Sequence, residues 1–170
     1  MKTLIFGLLV IGFTSLGFSQ DKNEGISVIQ LDDVEISSLN YHYLRTVQDE
    51  STPNAVKQIQ LVAANYDITS NPRYDKKAIK PFEVVFRSKK GKIIAYYDNK
   101  GEILSSDENF KNVLLPLVIR KKLIVENIGW EMKSNQYLCS YYDDKVVTKM
   151  LKIGLTDGKH TKKLRIDLNQ

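Results

Sequence analysis

The residue types that most often carry chemistry in proteins are few in this chain. It has one cysteine, Cys139, and two histidines, His42 and His160. Cys139 stands in the strand-like run YLCSYY, where a free cysteine is usually a small buried hydrophobic residue. A zinc site needs clustered cysteine or histidine ligands, and one cysteine with two scattered histidines does not provide them. We therefore expect no metal and no cofactor.

Acidic residues and serines are the other candidates for catalysis, and each has a simpler interpretation. Asp98 and the pair Asp143–Asp144 fall in predicted turns, where carboxylates bind backbone amides and solvent. The run Asp98–Glu102 lacks the alternating oxygen ligands and the distant bidentate glutamate of a calcium loop. A Ser-His-Asp triad is compatible with the residue order, but no serine stands in a nucleophile elbow. Because neither GxxxxGK[ST] nor GxGxxG occurs, the sequence predicts a protein that is not an enzyme.

Residues 1–19 have the features of a secretory signal peptide. A positive start is followed by an almost wholly apolar run at 3–18, and small residues precede a cleavage point after Ser19 or Gln20. The apolar run is too short to span a bilayer stably, and no cysteine follows it as in a lipoprotein. We expect an exported chain, periplasmic or extracellular, without stable membrane insertion once the signal peptide is removed.

Residues 20–170 form a single domain by length. One cysteine cannot form an internal disulfide, so packing must stabilise this domain. The chain has 25 Lys+Arg against 20 Asp+Glu, a formal net charge of +5. These charges are interspersed, which favours a solvated surface over a nucleic-acid site. A lead-in segment, 20–49, contains one predicted strand at 27–36.

The next part of the sequence predicts a helix and then a β-meander. Thr52 and Pro53 are helix start signals, and an apolar stripe at helical spacing continues to about Asp67. Strands are predicted at 82–87, 93–97 and 103–104, joined by turns that each place glycine fourth.

Those turns fix the predicted register of the meander. The face expected to pack on helices carries Phe82, Val84, Phe86, Ile94, Tyr96 and Leu104. The reverse face is mixed and carries Glu83, Val85, Arg87, Ile93, Ala95, Tyr97 and Ile103.

A second unit has the same order of elements. Leu115 and Pro116 start a helix that Gly129 ends, and its buried stripe is predicted to be Leu114, Leu117, Val118, Ile124, Val125 and Ile128. Strands follow at 137–142, 146–155 and 162–168. The last two are joined by an Asp-Gly turn that sets Leu151 opposite Leu164. The reverse face of this unit carries Thr148, Met150, Lys152, Lys163, Arg165 and Asp167.

The expected fold is therefore α+β, built from tandem helix-plus-antiparallel-sheet repeats at about 50–105 and 113–168. Two main helices are expected to pack on one face of a curved antiparallel sheet.

The hairpin KGKIIAYYDNKGEIL and the helix FKNVLLPLVIRKKLIVENIGW resemble PepSY-like proteins exported by Bacteroidetes-type bacteria, which include flavobacterial relatives. Tyr97, Asp98 and Gly101 match the turn of that pattern, and Leu115–Pro116 matches its helix start. Gly129–Trp130 matches its helix end, where Ile128 replaces the usual proline. The resemblance implies a fold similar to β-lactamase-inhibitor proteins and a non-enzymatic role in which the open sheet face binds a partner.

Related chains sometimes carry a nicotinate-nucleotide adenylyltransferase label, which these residues do not support. That chemistry needs a glycine-rich turn and a His-x-Gly-His-type signature to neutralise developing phosphate charge, and the chain has neither.

We expect a binding protein of the cell envelope that uses its open sheet face to hold a protein or peptide, an acidic one if the basic groups steer it. The predicted contact residues are Arg87, Ile93, Tyr97, Met150, Lys152, Lys163 and Arg165. The alternative is a structural component that joins a larger assembly through the strand at 27–36.

Overall fold

The computed structural model describes residues 40–77, 79–142 and 145–169, which belong to one compact unit. The predicted signal peptide at 1–19 and the predicted strand at 27–36 lie outside the described residues. Within the described residues the helices are α1 (Tyr41–Val47), α2 (Asn54–Ala64) and α3 (Leu117–Glu126), and a 3-10 turn spans Ile68–Ser70. The strands are β1 (Phe82–Ser88), β2 (Gly91–Tyr97), β3 (Ile103–Lys111), β4 (Glu131–Tyr142), β5 (Lys145–Thr156) and β6 (Thr161–Asp167).

The six strands form one antiparallel sheet in the order β1-β2-β3-β4-β5-β6. Each strand is hydrogen-bonded to the strand next to it in sequence, so the sheet is a simple meander with β1 and β6 at its edges. The α+β class is therefore confirmed. Among the described residues, no helix has both the length and the apolar character that crossing a membrane would require.

Helices α1 and α2 supply much of the hydrophobic core. In α2, Val56 and Ala63 are fully buried as the periodicity predicts. Pro53, in an extended conformation, is the residue before the helix. Thr52 does not cap α2, and its hydroxyl oxygen instead accepts a hydrogen bond from the backbone amide of Asp49 at 3.2 Å. Helix α1 was not predicted.

The turn between β1 and β2 is shorter than predicted, and this changes the face of every residue in β2. Ser88 pairs with Gly91, so only Lys89 and Lys90 form the turn, and Phe86 lies opposite Ile93. A slip of one residue moves a strand's side chains to the other face, because side chains alternate with a period of two.

Gly91 is needed in β2 for space. A Cβ atom there would lie 2.1 Å from the backbone oxygen of Asn109 in β3 and 2.6 Å from the Cα of Phe110. Glycine therefore allows β3 to approach the end of this hairpin closely, and the left-handed turn residue predicted at this position does not occur.

The second hairpin has the predicted turn but a longer strand. Gly101 has φ +92°, and Oδ1 of Asp98 accepts hydrogen bonds from the amides of Lys100 and Glu102, each at 2.8 Å. The register shifts between Tyr96 and Tyr97, which leaves Tyr96 opposite Ser105 rather than Leu104. The chain after Leu104, where no strand was predicted, continues as β3 to Lys111.

Helix α3 begins after Pro116, and Gly129 has the predicted left-handed conformation at φ +80°. The predicted buried stripe of α3 is wrong. All six of its members are between 56% and 86% exposed, and the buried residues of the helix are Ile119 and Leu123.

The β5–β6 hairpin turns through four residues, because Thr156 pairs with Thr161. Leu151 therefore lies opposite Ile166, two residues from the predicted partner Leu164. A slip of two residues keeps every side chain on its predicted face. The predicted faces of β5 and β6 are thus confirmed, although the pairing is not.

Candidate binding face of the sheet

The two faces of the sheet differ sharply in burial. The face toward the helices carries nearly all of the buried strand residues: Ile93, Ala95, Tyr97, Ile103, Ser106, Glu108, Phe110, Tyr137, Cys139, Tyr141, Lys149, Leu151, Ile153 and Leu155. On the reverse face, none of the side chains whose burial is described is buried. The described residues therefore leave the reverse face of the sheet uncovered, and we refer to it below as the open face.

Five of the seven predicted contact residues lie on this open face. Arg87, Lys163 and Arg165 are exposed, and Met150 and Lys152 are half-buried. They share a face because Met150 pairs with Leu138 and Lys152 pairs with Gln136 and Arg165.

For Ile93 and Tyr97, the other two predicted contact residues, the predicted position on the open face is wrong. Both face the helices and are 0% exposed, as the shorter β1–β2 turn requires. The Tyr97 hydroxyl donates a hydrogen bond to the carbonyl of Ala63 at 2.7 Å. These two residues are therefore core residues that fix α2 on the sheet, and Ile94 and Tyr96 take their place on the open face.

The cations of the open face are concentrated toward one end of the strands. The half that includes the β1–β2 turn carries six cations and two carboxylates: Arg87, Lys92, Lys111, Lys152, Lys163, Arg165, Glu131 and Asp167. The other half carries Glu83, Asp107 and Lys145. We call the first half the basic end of the open face.

Two cross-strand pairs in the basic end join like charges. Arg87 lies directly opposite Lys92, and Lys152 lies directly opposite Arg165. Directly opposed like charges destabilise a sheet. None of these four residues takes part in an ion pair with another described residue. Among the described residues no ion pair offsets this repulsion, which an anionic partner would reduce.

Two shallow cavities lie in the basic end. One of about 440 Å³ is lined by Lys111, Lys152, Lys163 and Arg165 together with neutral residues. The other, of about 530 Å³, is lined by Arg87, Lys92 and Lys111 and by the turn lysines. Lys111 and Asn112 line both cavities. No carboxylate lines either cavity, so both are cationic.

A buried polar cluster on the helix side of the sheet was missed by the sequence reasoning. The Glu108 carboxylate in β3 accepts a hydrogen bond from the Tyr43 hydroxyl of α1 at 2.9 Å. It accepts a second from Nε2 of Gln60 in α2 at 2.8 Å. Glu108 therefore connects both helices to the centre of the sheet. Only a strand prediction through the polar run Ser105–Asn109 could have placed it there.

Burial dominates the electrostatics of this cluster. It raises the pKa of Glu108 to about 7, although the hydrogen bonds from Gln60 and Tyr43 and the charge of Lys149 oppose the rise. Lys149 in β5 is itself buried, and its Nζ lies 2.5 Å from Oδ2 of Asp49, which is half-exposed. Burial also acts on Asp49, but hydrogen bonds from Lys149 and Ser51 lower the pKa of Asp49 below its usual value.

Cys139 stands between Glu108 and Lys149 in the cross-strand row. It is buried, and this burial raises the pKa of its thiol far above the usual value, so the thiolate is not available as a nucleophile. His160 is exposed in the β5–β6 turn, with Nδ1 3.0 Å from Oδ2 of Asp157. Among the residues that the structure describes, no group of three His, Cys, Asp or Glu side chains could hold a metal ion.

Comparisons with protein-family models, with curated proteins and with solved structures found no match to this chain. The geometry of the open face and the sequence motifs are therefore the basis for a functional proposal.

Proposed function

We propose that this chain is a non-enzymatic binding protein that holds an acidic protein or peptide on the basic end of its open face. The observation that carries the proposal is the pair of like-charge contacts, Arg87–Lys92 and Lys152–Arg165, on a face that the described residues leave uncovered. Carboxylates of a partner placed between these cations would replace repulsion by attraction.

The centre of the proposed site offers apolar contact beside the charge. Leu138 and Met150 are directly opposed and half-buried. Asn109 and Asp167 continue their row on the neighbouring strands, and the cations Lys111 and Arg165 lie diagonally beside it. Methionine adapts its shape to different partners, and apolar area provides affinity that exposed charges alone do not. The revised set of contact residues is Arg87, Lys92, Lys111, Leu138, Met150, Lys152, Lys163 and Arg165.

The proposal is tested by titrating the chain with poly-L-glutamate, a minimal acidic polypeptide. The double charge reversal Lys152→Glu/Arg165→Glu should weaken binding about tenfold, because each change removes an attraction and adds a repulsion. The matched control is Lys76→Glu/Lys77→Glu, which changes the net charge equally in the exposed loop before β1.

A second measurement in this test is the dependence on salt. Binding by the wild type should weaken between about 0.1 M and about 1 M salt, where the screening length falls from about 10 Å to about 3 Å. Equal loss of affinity in the two double variants would show that only net charge matters, and this would refute a localised site.

We also propose that the chain is exported and has a PepSY-like architecture of two repeats. The signal-peptide pattern at 1–19 supports export. The order of elements supports the repeats, because α2 is followed by β1–β3 and α3 is followed by β4–β6. The burial of the two helices differs, since Val56 is buried whereas its counterpart 62 residues later, Val118, is exposed.

Deletion of residues 20–38 tests the alternative role in an assembly. If the shortened chain still folds but no longer associates with the larger assembly, the N-terminal strand is the joining element. That result would contradict binding by the open face.

A further inference from the structure

The outward side of α3 is apolar except for Lys121. Leu117, Val118, Ile124 and Val125 recur at helical spacing and are all more than half exposed. Leu114 before the helix and Ile128 after it are exposed as well. The opposite side of α3, formed by Ile119 and Leu123, is buried. Helix α3 therefore has two apolar faces, and its own fold uses only one of them.

Cations border this exposed stripe, which we call the α3 stripe. Arg120 and Lys122 lie on either side of it, because they are about 100° from its centre around the helix. Lys121 lies within the stripe. All three are exposed, and the one acidic residue of α3, Glu126, lies on the side away from the stripe. Apolar residues flanked by lysine and arginine are the pattern of helices that lie in a membrane surface.

We propose that the α3 stripe docks on an anionic lipid surface, with α3 parallel to the membrane plane. The apolar side chains would enter the boundary between headgroups and acyl chains, and Arg120, Lys121 and Lys122 would contact lipid phosphates. Lysine and arginine reach headgroups readily, because their long stems stay in apolar surroundings while the charge stays in water. This binding is peripheral and needs no membrane-spanning helix.

The charge pattern argues against a second copy of the chain as the occupant. A two-fold symmetric contact centred on the middle of the stripe would place Lys121 against Lys121 of the other copy. Its neighbours Arg120 and Lys122 would add further like charges around that contact. The shape of the surface is also unlike a peptide groove, since no α3 residue lines the cavities described above. A fluid anionic surface suits a basic, apolar ridge.

Trp130, the only tryptophan of the chain, provides a local probe. It follows α3 closely, is half-buried, and has the Lys162 ammonium 4.3 Å from its ring centroid. The full-length chain is mixed with vesicles of phosphatidylglycerol or of phosphatidylcholine that carry brominated acyl chains. Bromine quenches tryptophan fluorescence only when the ring is close to the acyl region, so quenching reports docking at this end of the molecule.

The structure predicts quenching of Trp130 by phosphatidylglycerol vesicles, with binding at least about tenfold weaker to phosphatidylcholine. Val118→Gln/Val125→Gln should weaken binding about tenfold or more, because both apolar contacts are lost. Val62→Gln, a change of an equally exposed valine on α2, should leave binding unchanged. Every chain keeps residues 1–39, so any contribution of that segment is common to all variants.

Four results would overturn the proposal. The first is a Trp130 that bound vesicles do not quench, and the second is equal binding by Val118→Gln/Val125→Gln and the wild type. The third is dimerisation in sedimentation experiments without lipid that the same double variant abolishes, since this would make a second copy the occupant. Loss of poly-L-glutamate affinity in that variant would likewise assign the stripe to protein binding.

Discussion

Replacing Glu108 by glutamine should stabilise the protein at neutral pH and remove a pH dependence that the wild type has. Glu108 is 3% exposed and receives hydrogen bonds from Tyr43 and Gln60. Glutamine has the same shape, and its oxygen can accept from Tyr43. The side-chain amide introduced at position 108 needs a hydrogen-bond acceptor. Oε1 of Gln60 provides one if the side-chain amide of Gln60 flips, because this Oε1 has no hydrogen-bond partner among the described residues.

The expected magnitude follows from the pKa of Glu108, which burial raises from 4.5 to about 7. The folded state binds this proton more tightly than the unfolded state. The proton's contribution to stability is therefore complete below pH 4.5 and is lost as the pH rises through about 7. The gap between the two pKa values corresponds to about 3 kcal/mol. Glutamine carries no titratable proton, so the variant should keep this stability at every pH.

The assay is urea unfolding of both proteins at pH values from about 5 to about 8. The free energy of unfolding of Glu108→Gln, relative to the wild type, should grow across this range by about 3 kcal/mol, with most of the change below pH 7. Asp107→Asn is the control, because it removes a carboxylate from the adjacent, exposed position of β3. A difference between Glu108→Gln and the wild type that stays constant with pH would refute the burial argument, as would one of opposite sign.

Three further changes test other parts of the structure. Asp49→Ala should lower the free energy of unfolding by about 2 kcal/mol, because it leaves the buried ammonium of Lys149 without its half-exposed partner. In urea unfolding, the double variant Asp49→Ala/Lys149→Met should recover most of this loss. Gly91→Ala should lower the free energy of unfolding by roughly 3 kcal/mol, because the new methyl group collides with β3. Gly129→Ala, where space is open, should lower it by about 1 kcal/mol. Equal losses in thermal unfolding would contradict the close approach of β3 to Gly91. Tyr97→Phe should cost about 1 kcal/mol and leave poly-L-glutamate affinity unchanged, since its hydroxyl is bonded within the core; weakened binding would return Tyr97 to the open face.

The fold class followed from sequence because most elements have strong local signals. Periodic apolar residues and the glycines at 101 and 129 placed α2, the second hairpin and the end of α3 close to where they lie. Helix α1 was missed because it is a short helix whose three buried residues, Tyr43, Leu44 and Val47, complete less than two turns.

The candidate site was only half predictable, and the reason is register. In β5 and β6 the predicted pairing was wrong by two residues, which leaves Lys152, Lys163 and Arg165 on the correct face. In β2 it was wrong by one residue, which put the buried Ile93 and Tyr97 on the open face. The error arose at Gly91, whose role depends on a contact with β3 that no local pattern contains.

Glu108 and the α3 stripe show the limits of periodicity. The run around Glu108 is polar, and burial of that carboxylate depends on partners from two helices distant in sequence. In α3 both sides of the helix are apolar, so periodicity cannot decide which side is buried. In each case the deciding information lies in tertiary contacts.

The most direct test of the central claim is residue-by-residue labelling of lysines with an amine-reactive reagent, with and without poly-L-glutamate, read by mass spectrometry. The account predicts that Lys111, Lys152 and Lys163 become protected, because they lie together in the basic end of the open face. Lys76 and Lys77 should label equally in both states. Binding by the open face would be contradicted if Lys76 and Lys77 were protected as strongly as the three sheet lysines. It would also be contradicted if the three sheet lysines were not protected.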